Sequence, residues 1–337
     1  MELKRYRLLL WISFLSLSML WVAPELQAAP YYQGKRITFV VGFAPGGGYD
    51  RMTRMIAKYL PKHIPGKPTI IIENMPGGSS MIAANYVYSV AKPDGLTIGN
   101  INRGLQIAQV MKISEMKFDL RKFAWIGSTA SDANAFCIRA DLPYKTFGDL
   151  RNAKREIFMS SGGPMTSGAQ FTTLIKEYTK LNIQLITYTN MADALLAVER
   201  KEVDGNGSTY SSLAPLIQRG VLRPLLRGRA FEPEIKHLPV DEDMTTDPVG
   251  KKVMAMRSAT DVVGRPYVAP PGTSPEALSI LRKAFAQVAK DPQLQAEAKK
   301  NLMPVEYLSA EECLKSVNYL LGQPEDIVRE FKKYITF

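Results

Sequence analysis

Three stretches of the chain repeat one pattern: a short, mostly apolar run, then a loop of glycine, serine and proline, then residues with helical apolar spacing. The apolar runs are 37–43, 69–73 and 157–160. Such runs are typical of buried strands, and the spacing that follows them is typical of amphipathic helices. A strand–loop–helix unit that recurs favours an α/β protein in which loops and helix N-termini gather at the carboxyl ends of the strands, where such sheets bind ligands.

The loop of the first unit, Ala44–Gly48, has no side chain large enough to block a close approach to its backbone. Asp50 is predicted to cap the helix that follows. The apolar face of that helix is predicted to comprise Met52, Met55, Ile56, Tyr59 and Leu60. Backbone N–H groups at the positive end of a helix dipole suit an anion. The alternative is that the glycines only make a tight turn.

The second and third units carry different loops. Residues 74–80 (NMPGGSS) follow the second strand, and residues 161–167 (SGGPMTS) follow the third. The helix after the second loop is predicted to bury Ile82, Ala83, Tyr86, Val87 and Val90. The helix after the third loop is predicted to bury Phe171, Leu174, Ile175 and Tyr178. The three loops are therefore expected to lie near a common ligand.

The N-terminus has the three parts of a secretory signal peptide. Lys4, Arg5 and Arg7 precede the apolar run Leu8–Val22, and a site of small residues ends at Ala28. The apolar run is short for a membrane span, so we predict cleavage after Ala28 and a periplasmic location. The alternative is an uncleaved N-terminal anchor.

The charge balance narrows the class of partner. The chain carries 43 Lys and Arg against 32 Asp and Glu, a net charge of +11. These basic residues are spread along the chain without a dense basic arm, which disfavours nucleic acid and favours a small anion. With 337 residues the chain exceeds the usual size of a single core, so two lobes are expected.

Cysteine and histidine are scarce, which disfavours metal binding and catalysis. Cys137 and Cys313 are the only cysteines, and we predict buried free thiols, with a disulfide as the alternative. His63 and His237 are the only histidines, and no G-x-S-x-G motif is present. We therefore predict no metal, no cofactor and no enzyme activity, with an exported hydrolase as the less favoured alternative.

The rest of the chain suggests two crossings between lobes. We predict a first lobe of residues 29–130 plus 265–337 and a second lobe of 131–264. Asn190 is predicted to cap a helix, residues 231–251 to form a loop with short helices, and 261–270 to return to the first lobe. Helices are predicted at 275–288 with Ser274 as cap, at 292–301, at 310–321 and from Pro324. Arg103, after a predicted strand, is either a surface charge or a counter-ion for a ligand.

Three motifs carry a family resemblance. Residues 41–51 (VGFAPGGGYDR), 73–79 (ENMPGGS) and 91–98 (AKPDGLTI) resemble the corresponding motifs of the extracytoplasmic solute receptors of tripartite tricarboxylate transporters, the Bug or TctC family. Later landmarks, including 160–163 (SSGG) and 269–275 (APPGTSP), agree with it. The resemblance covers nearly the whole chain after the signal peptide.

The resemblance implies a two-lobed periplasmic binding fold of type II-like topology. Each lobe would be a mixed sheet flanked by helices, with two crossover strands as the hinge. It also implies a monomeric receptor that holds a small carboxylate-bearing anion between its lobes and delivers it to membrane permease subunits. The alternative is an orphan or sensory receptor that signals to a membrane sensor.

The binding residues predicted from the loops and the resemblance lie on both lobes. In the first lobe they are Phe43, Ala44, Pro45, Gly46, Gly47, Gly48, Tyr49, Asp50, Pro76, Gly77, Gly78, Ser79 and Arg103. In the second lobe they are Ser161, Gly162, Gly163, Thr166, Ser167, Tyr188, Asn190, Asn206 and Tyr210.

Residues 187–191 (TYTNM) and 201–210 (KEVDGNGSTY) depart from the family pattern, so the ligand of a relative cannot be transferred to this chain. Asn206 and Tyr210 are candidate contacts within the second departure, with an ordinary polar loop as the alternative.

Overall fold

Two mixed β-sheets flanked by helices make up the computed structural model, which describes residues 29–230 and 232–335. The predicted signal peptide, residues 1–28, lies outside the described residues. The described residues from Tyr31 onward form one compact unit. Among all residues described, no helix is both long enough and apolar enough to cross a membrane.

The strands of the three predicted strand–loop–helix units are present, and the chain contains further strands besides them. In chain order they are β1 (Arg36–Val41), β2 (Thr69–Asn74), β3 (Thr97–Asn100), β4 (Ala124–Ser128), β5 (Asn134–Arg139), β6 (Ile157–Ser161), β7 (Ile183–Thr187), β8 (Gly205–Thr209), β9 (Leu222–Arg227), β10 (Pro266–Ala269) and β11 (Leu308–Ser309).

The helices alternate with most of these strands. In chain order they are α1 (Gly48–Tyr59), α2 (Met81–Ser89), α3 (Leu105–Val110), α4 (Phe147–Arg151), α5 (Ser167–Thr179), α6 (Met191–Glu199), α7 (Tyr210–Gln218), α8 (Pro248–Ser258), α9 (Pro275–Val288), α10 (Pro292–Lys300), α11 (Ala310–Leu321) and α12 (Glu325–Tyr334).

Each sheet contains one strand that directly follows a segment crossing from the other sheet. The first sheet has the order β11-β4-β10-β3-β1-β2, and β10 lies antiparallel between β3 and β4. The second has the order β7-β6-β8-β5-β9, and β5 lies antiparallel between β8 and β9. The predicted α/β fold with two mixed sheets is confirmed. We call the part built on the six-stranded sheet the first lobe and the part built on the five-stranded sheet the second lobe.

The two crossings are hydrogen-bonded to each other. The backbone N–H of Thr129 donates to Arg265 O at 3.2 Å, and that of Gly264 donates to Ala130 O at 2.8 Å. The N–H of Asp132 donates to Asp261 O at 3.1 Å. The predicted lobe boundaries, 130/131 and 264/265, fall within this paired segment and stay a prediction.

Helices with a strong cap begin where the sequence predicts. Ser274 caps α9, which spans the predicted residues 275–288. Asn190 caps α6 by accepting a hydrogen bond from the N–H of Asp193. The predicted apolar face of α1 is buried at Met52, Met55, Ile56 and Leu60, with Tyr59 half-buried against the same core. A cap that satisfies free backbone N–H groups fixes the first residue of a helix more sharply than apolar spacing does.

Three local predictions are wrong. Gly47 is the N-cap of α1, and Asp50 lies inside the first turn instead. Ile82 and Val90, predicted to be buried, are 54% and 67% exposed, because α2 buries Met81, Ala84 and Val87 with Ala83. The predicted loop 231–251 ends early, since Pro248 begins α8 with Asp247 as its cap.

The last helix packs on the second lobe. Ile327 and Phe331 of α12 join the apolar cluster that contains Tyr178 of α5 and Met254 of α8. The C-terminal segment therefore connects the two lobes on the side of α5 and α8.

Candidate ligand-binding site

Asp50 holds the first glycine loop, which joins β1 to α1. Its carboxylate accepts hydrogen bonds of 2.9 Å from the backbone N–H of Gly46, from Arg54 Nε and from Asn74 Nδ2. Burial alone would raise the pKa of the Asp50 carboxyl, but these hydrogen bonds outweigh burial and lower that pKa. Asp50 is only 2% exposed, so its carboxylate stabilises the loop from the protein interior.

A three-layer stack supports the loop from the hinge side. The ring of Tyr49 stacks on that of Phe43 with centroids 4.6 Å apart, and the guanidinium of Arg265 lies 4.5 Å from the Tyr49 ring centroid. Arg265 is fully buried and its Nη2 lies 2.6 Å from Asp132 Oδ2. The stack links the paired crossings to Phe43.

Gly48 marks a close approach between the lobes. A Cβ at this position would lie 2.3 Å from Oγ of Ser212, on α7 of the second lobe, and 2.8 Å from Nη2 of Arg265. A larger residue at position 48 would therefore require the side chains of Ser212 and Arg265 to move. At Gly47 the nearest atom to such a Cβ, the Met191 Cβ, is 3.8 Å away, so that position has room.

The second loop contacts the second lobe directly. Ser79 Oγ accepts a hydrogen bond of 3.3 Å from the backbone N–H of Met165. Asn102 Nδ2 donates to Ser79 O at 3.0 Å and to Met165 O at 3.2 Å. Ser79 and Asn102 follow β2 and β3, whereas Met165 follows β6. These hydrogen bonds join the two lobes across the cleft.

Arg103 is neither a surface charge nor exposed to solvent. It is 1% exposed, and its guanidinium lies 3.1 Å from Asp261 Oδ1. Nε and Nη2 donate to Ser167 Oγ at 3.1 and 3.0 Å, and its backbone N–H donates to Tyr49 Oη at 3.1 Å. The prediction that Arg103 is a surface charge is thus wrong. Arg103 lies behind the wall of the site, and its hydrogen bonds position Ser167.

The loop after β6 completes the site from the second lobe. Thr166 caps α5: its Oγ1 accepts from the N–H of Ala169 at 3.2 Å and donates to Gly163 O at 2.8 Å. A Cβ at Gly162 would lie 2.7 Å from Met191 N, so this loop also passes close to the start of α6. The three loops predicted from the sequence therefore lie around one cleft.

A small cavity of about 40 Å³ lies where these loops meet. Residues at the N-terminal ends of four helices line its wall: Gly47 and Gly48 of α1, Thr166–Gly168 of α5, Met191 and Ala192 of α6, and Thr209 and Ser212 of α7. Within the described residues, no charged side chain lines this cavity. Four positive helix ends and neutral hydroxyls are the groups that bind an anion without a formal counter-charge.

A larger cavity of about 410 Å³ adjoins the small one. Phe43, Ala44 and Gly162 line both, so the two share a wall. The larger cavity is bordered by the second loop (Pro76–Ser79), by the loop after β6 and by Tyr188–Asn190. Both lobes contribute to its lining.

The predicted binding residues divide into three groups. On the small cavity lie Phe43, Ala44, Gly47, Gly48, Tyr49, Gly162, Thr166 and Ser167. On the large cavity lie Pro76, Gly77, Gly78, Ser79, Gly163, Tyr188 and Asn190, with Phe43, Ala44 and Gly162 shared. Neither cavity is lined by Pro45, Gly46, Asp50, Arg103, Ser161, Asn206 or Tyr210.

Asn206 and Tyr210 are both buried. Asn206 Nδ2 donates to Ser160 Oγ at 2.9 Å. Tyr210 is 5% exposed within an apolar cluster of the second lobe, and burial raises the pKa of its hydroxyl to about 12. The structure thus places Tyr210 in the core of the second lobe, away from both cavities.

Several lining residues were not predicted from the sequence. Asn102, Ser208, Thr209 and Ser212 line the small cavity, and Met81, Ile113, Glu115 and Met165 line the large one. Asn102 lies in the loop after β3, at the same edge of the sheet as the two predicted loops. This position could have identified it as a lining residue.

The histidines and cysteines lie apart from both cavities. His63 Nε2 is 2.9 Å from Asp291 Oδ2, and His237 is exposed. Cys137 and Cys313 are buried free thiols, as predicted, and burial raises the pKa of both. In the part of the chain that the structure describes, no three His, Cys, Asp or Glu side chains are grouped to hold a metal ion.

A family model described as "Tripartite tricarboxylate transporter family receptor" (TctC) matches residues 52–332 of the chain. The chain belongs to this family. The resemblance drawn from the three motifs is therefore confirmed. A UPF0065 protein of Bordetella pertussis is 28% identical to this receptor over 270 residues, which cover 78% of the receptor and 79% of the relative.

Solved structures show the same fold as this receptor. The periplasmic binding protein BugD is 21% identical, with a TM-score of 0.75 and coverage of 90% of the receptor and 98% of BugD. Rpa4515 of R. palustris, solved with adipate, is 23% identical, with a TM-score of 0.72 and coverage of 88% and 97%. The receptor thus has the two-lobed fold of periplasmic solute-binding proteins.

Proposed function

We propose that this receptor captures a small anion with a carboxylate between its two lobes in the periplasm and delivers it to the membrane subunits of a tripartite tricarboxylate-type transporter. The observation that carries the proposal is the small cavity, on which four helix N-termini from both lobes converge. A carboxylate group fits a space of about 40 Å³, which holds only a few water-sized groups.

Neutral donors suit reversible capture. Backbone N–H groups and a hydroxyl such as that of Ser208 form charge-assisted hydrogen bonds to a carboxylate without exchanging a proton with it. The net charge of +11 attracts anions over a longer range. Rpa4515, which has the same fold, was solved with a dicarboxylate, and this supports the class of ligand.

Capture is expected to be coupled to lobe closure. The contacts of Ser79 and Asn102 with Met165, and of Arg103 with Ser167, all cross the cleft. A ligand that contacts both lobes stabilises the closed arrangement relative to an open one, so binding shifts the population toward closure. The closed form is then the form that the permease subunits recognise.

We infer that the receptor acts as a monomer and has no catalytic activity. Its family and fold are those of solute-binding proteins. The predicted signal peptide supports export, and the family supports the transporter as partner. Deletion of the gene should abolish uptake of the bound carboxylate; uptake that persists would favour a sensory role.

Calorimetry with a panel of carboxylates tests the capture step. Gly47→Val should abolish binding and leave the fold intact, because Gly47 has room for a Cβ while the added methyl groups enter the small cavity and approach Met191. Gly148→Val is the matched control, since Gly148 is exposed and its Cβ would meet only Thr146 Oγ1, at 3.6 Å. Unchanged affinity in Gly47→Val, or binding of neutral sugars alone, would contradict the proposal.

A further inference from the structure

The large cavity is lined by a smaller share of polar side chains than the small one. Its wall is formed largely by Phe43, Met81, Ile113, Pro164 and Met165 together with glycines. Its volume of about 410 Å³ lies within the range of ordinary ligand pockets. The loops Pro76–Ser79 and Tyr188–Asn190 close its sides. A ligand that reaches from the small cavity into the large one therefore meets a surface with proportionally fewer polar side chains.

The two cavities differ in the charged residues around them. Two buried arginines lie behind the small cavity: Arg103 holds Ser167 there, and Arg265 lies behind Gly48 and donates to Thr209 Oγ1 at 3.3 Å. The described lining of the large cavity contains no Lys, Arg or His, and its single charged residue is the acidic Glu115. The large cavity is thus the less favourable of the two for a negative group.

We propose that the ligand is a monocarboxylate with an apolar body of about the size of an aromatic ring. The carboxylate lies in the small cavity and the body in the large one. This inference rests on the proposed function and specifies its ligand. A second carboxylate on the body would lie in the large cavity without a cationic partner and would face Glu115. An apolar body gains from the same burial.

The side chains of the large cavity favour a flat ring over a branched chain. The thioethers of Met81 and Met165 adapt to the shape of a ligand and make favourable contacts with aromatic rings. Phe43 and Tyr188 offer ring faces and edges from the first and second lobes. Four such side chains around one chamber suit an aromatic body.

The test is a comparison of matched ligands by calorimetry on the purified protein. 4-Methylbenzoate and terephthalate differ only in a methyl group against a second carboxylate, and hexanoate and adipate form the aliphatic pair. We expect 4-methylbenzoate to bind at least tenfold more tightly than terephthalate, and hexanoate more tightly than adipate. Terephthalate binding as tightly as 4-methylbenzoate would overturn the inference and leave the proposed function standing.

A neutral analogue tests the proposed capture of a carboxylate separately from the inference about the body of the ligand. 4-Methylbenzamide keeps the apolar body without the charge, and we expect it to bind at least tenfold more weakly than 4-methylbenzoate. Equal binding of the amide and the acid would overturn the proposed function itself. Failure of all four carboxylates to bind would overturn both the function and the inference.

Glu115 offers a variant that leaves the fold alone, because it is exposed. Glu115→Gln should raise the affinity for terephthalate relative to that for 4-methylbenzoate at least threefold. Glu311→Gln is the matched control, since Glu311 is an exposed acid on α11 and lines neither cavity. Equal effects of the two substitutions on terephthalate would overturn the assigned role of Glu115.

Discussion

Asn102 donates one hydrogen bond to Ser79 O in its own lobe and a second, of 3.2 Å, to Met165 O in the opposite lobe. One side-chain amide thus joins the second glycine loop of the first lobe to the loop that precedes α5. Asn102 is only 3% exposed, so both hydrogen bonds are shielded from water. This geometry ties closure of the cleft to the position of the second loop.

Asn102→Ala should weaken ligand binding more than it weakens the fold. A buried hydrogen bond contributes about 1 kcal/mol, so loss of the contact across the cleft should lower affinity about fivefold. Calorimetry with a bound carboxylate and small-angle scattering of the open and closed forms measure this. Asn318→Ala, at an exposed position on α11, is the control. An affinity equal to that of the control would show that the contact does not stabilise closure.

Gly48→Ala and Gly47→Ala should behave differently although the positions are adjacent. The Cβ that Gly48→Ala adds would lie 2.3 Å from Ser212 Oγ in the opposite lobe, so we expect the cleft to open and binding to weaken at least tenfold. The Cβ at position 47 has at least 3.8 Å of clearance, so Gly47→Ala should bind nearly as wild type. Small-angle scattering would reveal a larger radius of gyration for Gly48→Ala alone. Identical scattering curves for the two variants would contradict this.

Arg265→Met should destabilise the protein strongly. The substitution keeps the apolar stem against Tyr49 but leaves the buried Asp132 carboxylate without its partner at 2.6 Å. Breaking such a buried pair costs about 3–5 kcal/mol of unfolding free energy. Arg265→Met combined with Asp132→Asn should recover part of the loss, because the unpaired charge is then gone. Urea unfolding measures both, and a double variant no more stable than Arg265→Met would contradict the pairing.

Glu232→Gln should stabilise the protein at neutral and alkaline pH. Burial, followed by the neighbouring Glu234 and Asp132, raises the pKa of the Glu232 carboxyl to about 9. The folded state therefore holds a proton that the unfolded state releases above about pH 4.3, so wild-type stability falls as the pH rises from there to about 9. At pH 7 the glutamine variant should gain roughly 3 kcal/mol.

The comparison that tests the titration of Glu232 is urea unfolding between pH 5 and pH 9. The stability difference between Glu232→Gln and wild type should grow across this window and level off above it. Glu306→Gln is the control, because Glu306 is exposed and is not one of the groups that raise the pKa of Glu232. A difference that stays constant with pH would mean that Glu232 is ionised in the folded protein.

Local signals in the sequence predicted local structure well. The Ser274 cap with Pro275, the Asn190 cap and the glycine loops each depend on interactions within a few residues, so the chain itself contains the information. The placement of the glycine loops around one cleft could also be predicted from the sequence, because strands in α/β sheets present their carboxyl ends at a common edge.

Arg103 shows what the sequence could not provide. Its burial depends on contacts with Asp261 and Ser167, which are 158 and 64 residues away in the chain. These contacts arise only because the crossings bring the two lobes together. The exposed Ile82 has a similar cause: which face of α2 is buried depends on the first sheet, and apolar spacing alone allowed more than one face. The apolar character of the large cavity likewise arises from Met81, Ile113 and Met165, each from a different segment.

The position of β10 between β3 and β4 bears on the order in which the lobes are made. All strands of the second sheet come from one continuous stretch, residues 134–227, so that sheet can assemble as soon as this stretch has been synthesised. The first sheet lacks a central strand until Pro266–Ala269 has also been synthesised, although its first strand begins at Arg36. The sheet that begins first in the chain is therefore the last to be completed, and until then β3 and β4 have unpaired edges that need protection from aggregation.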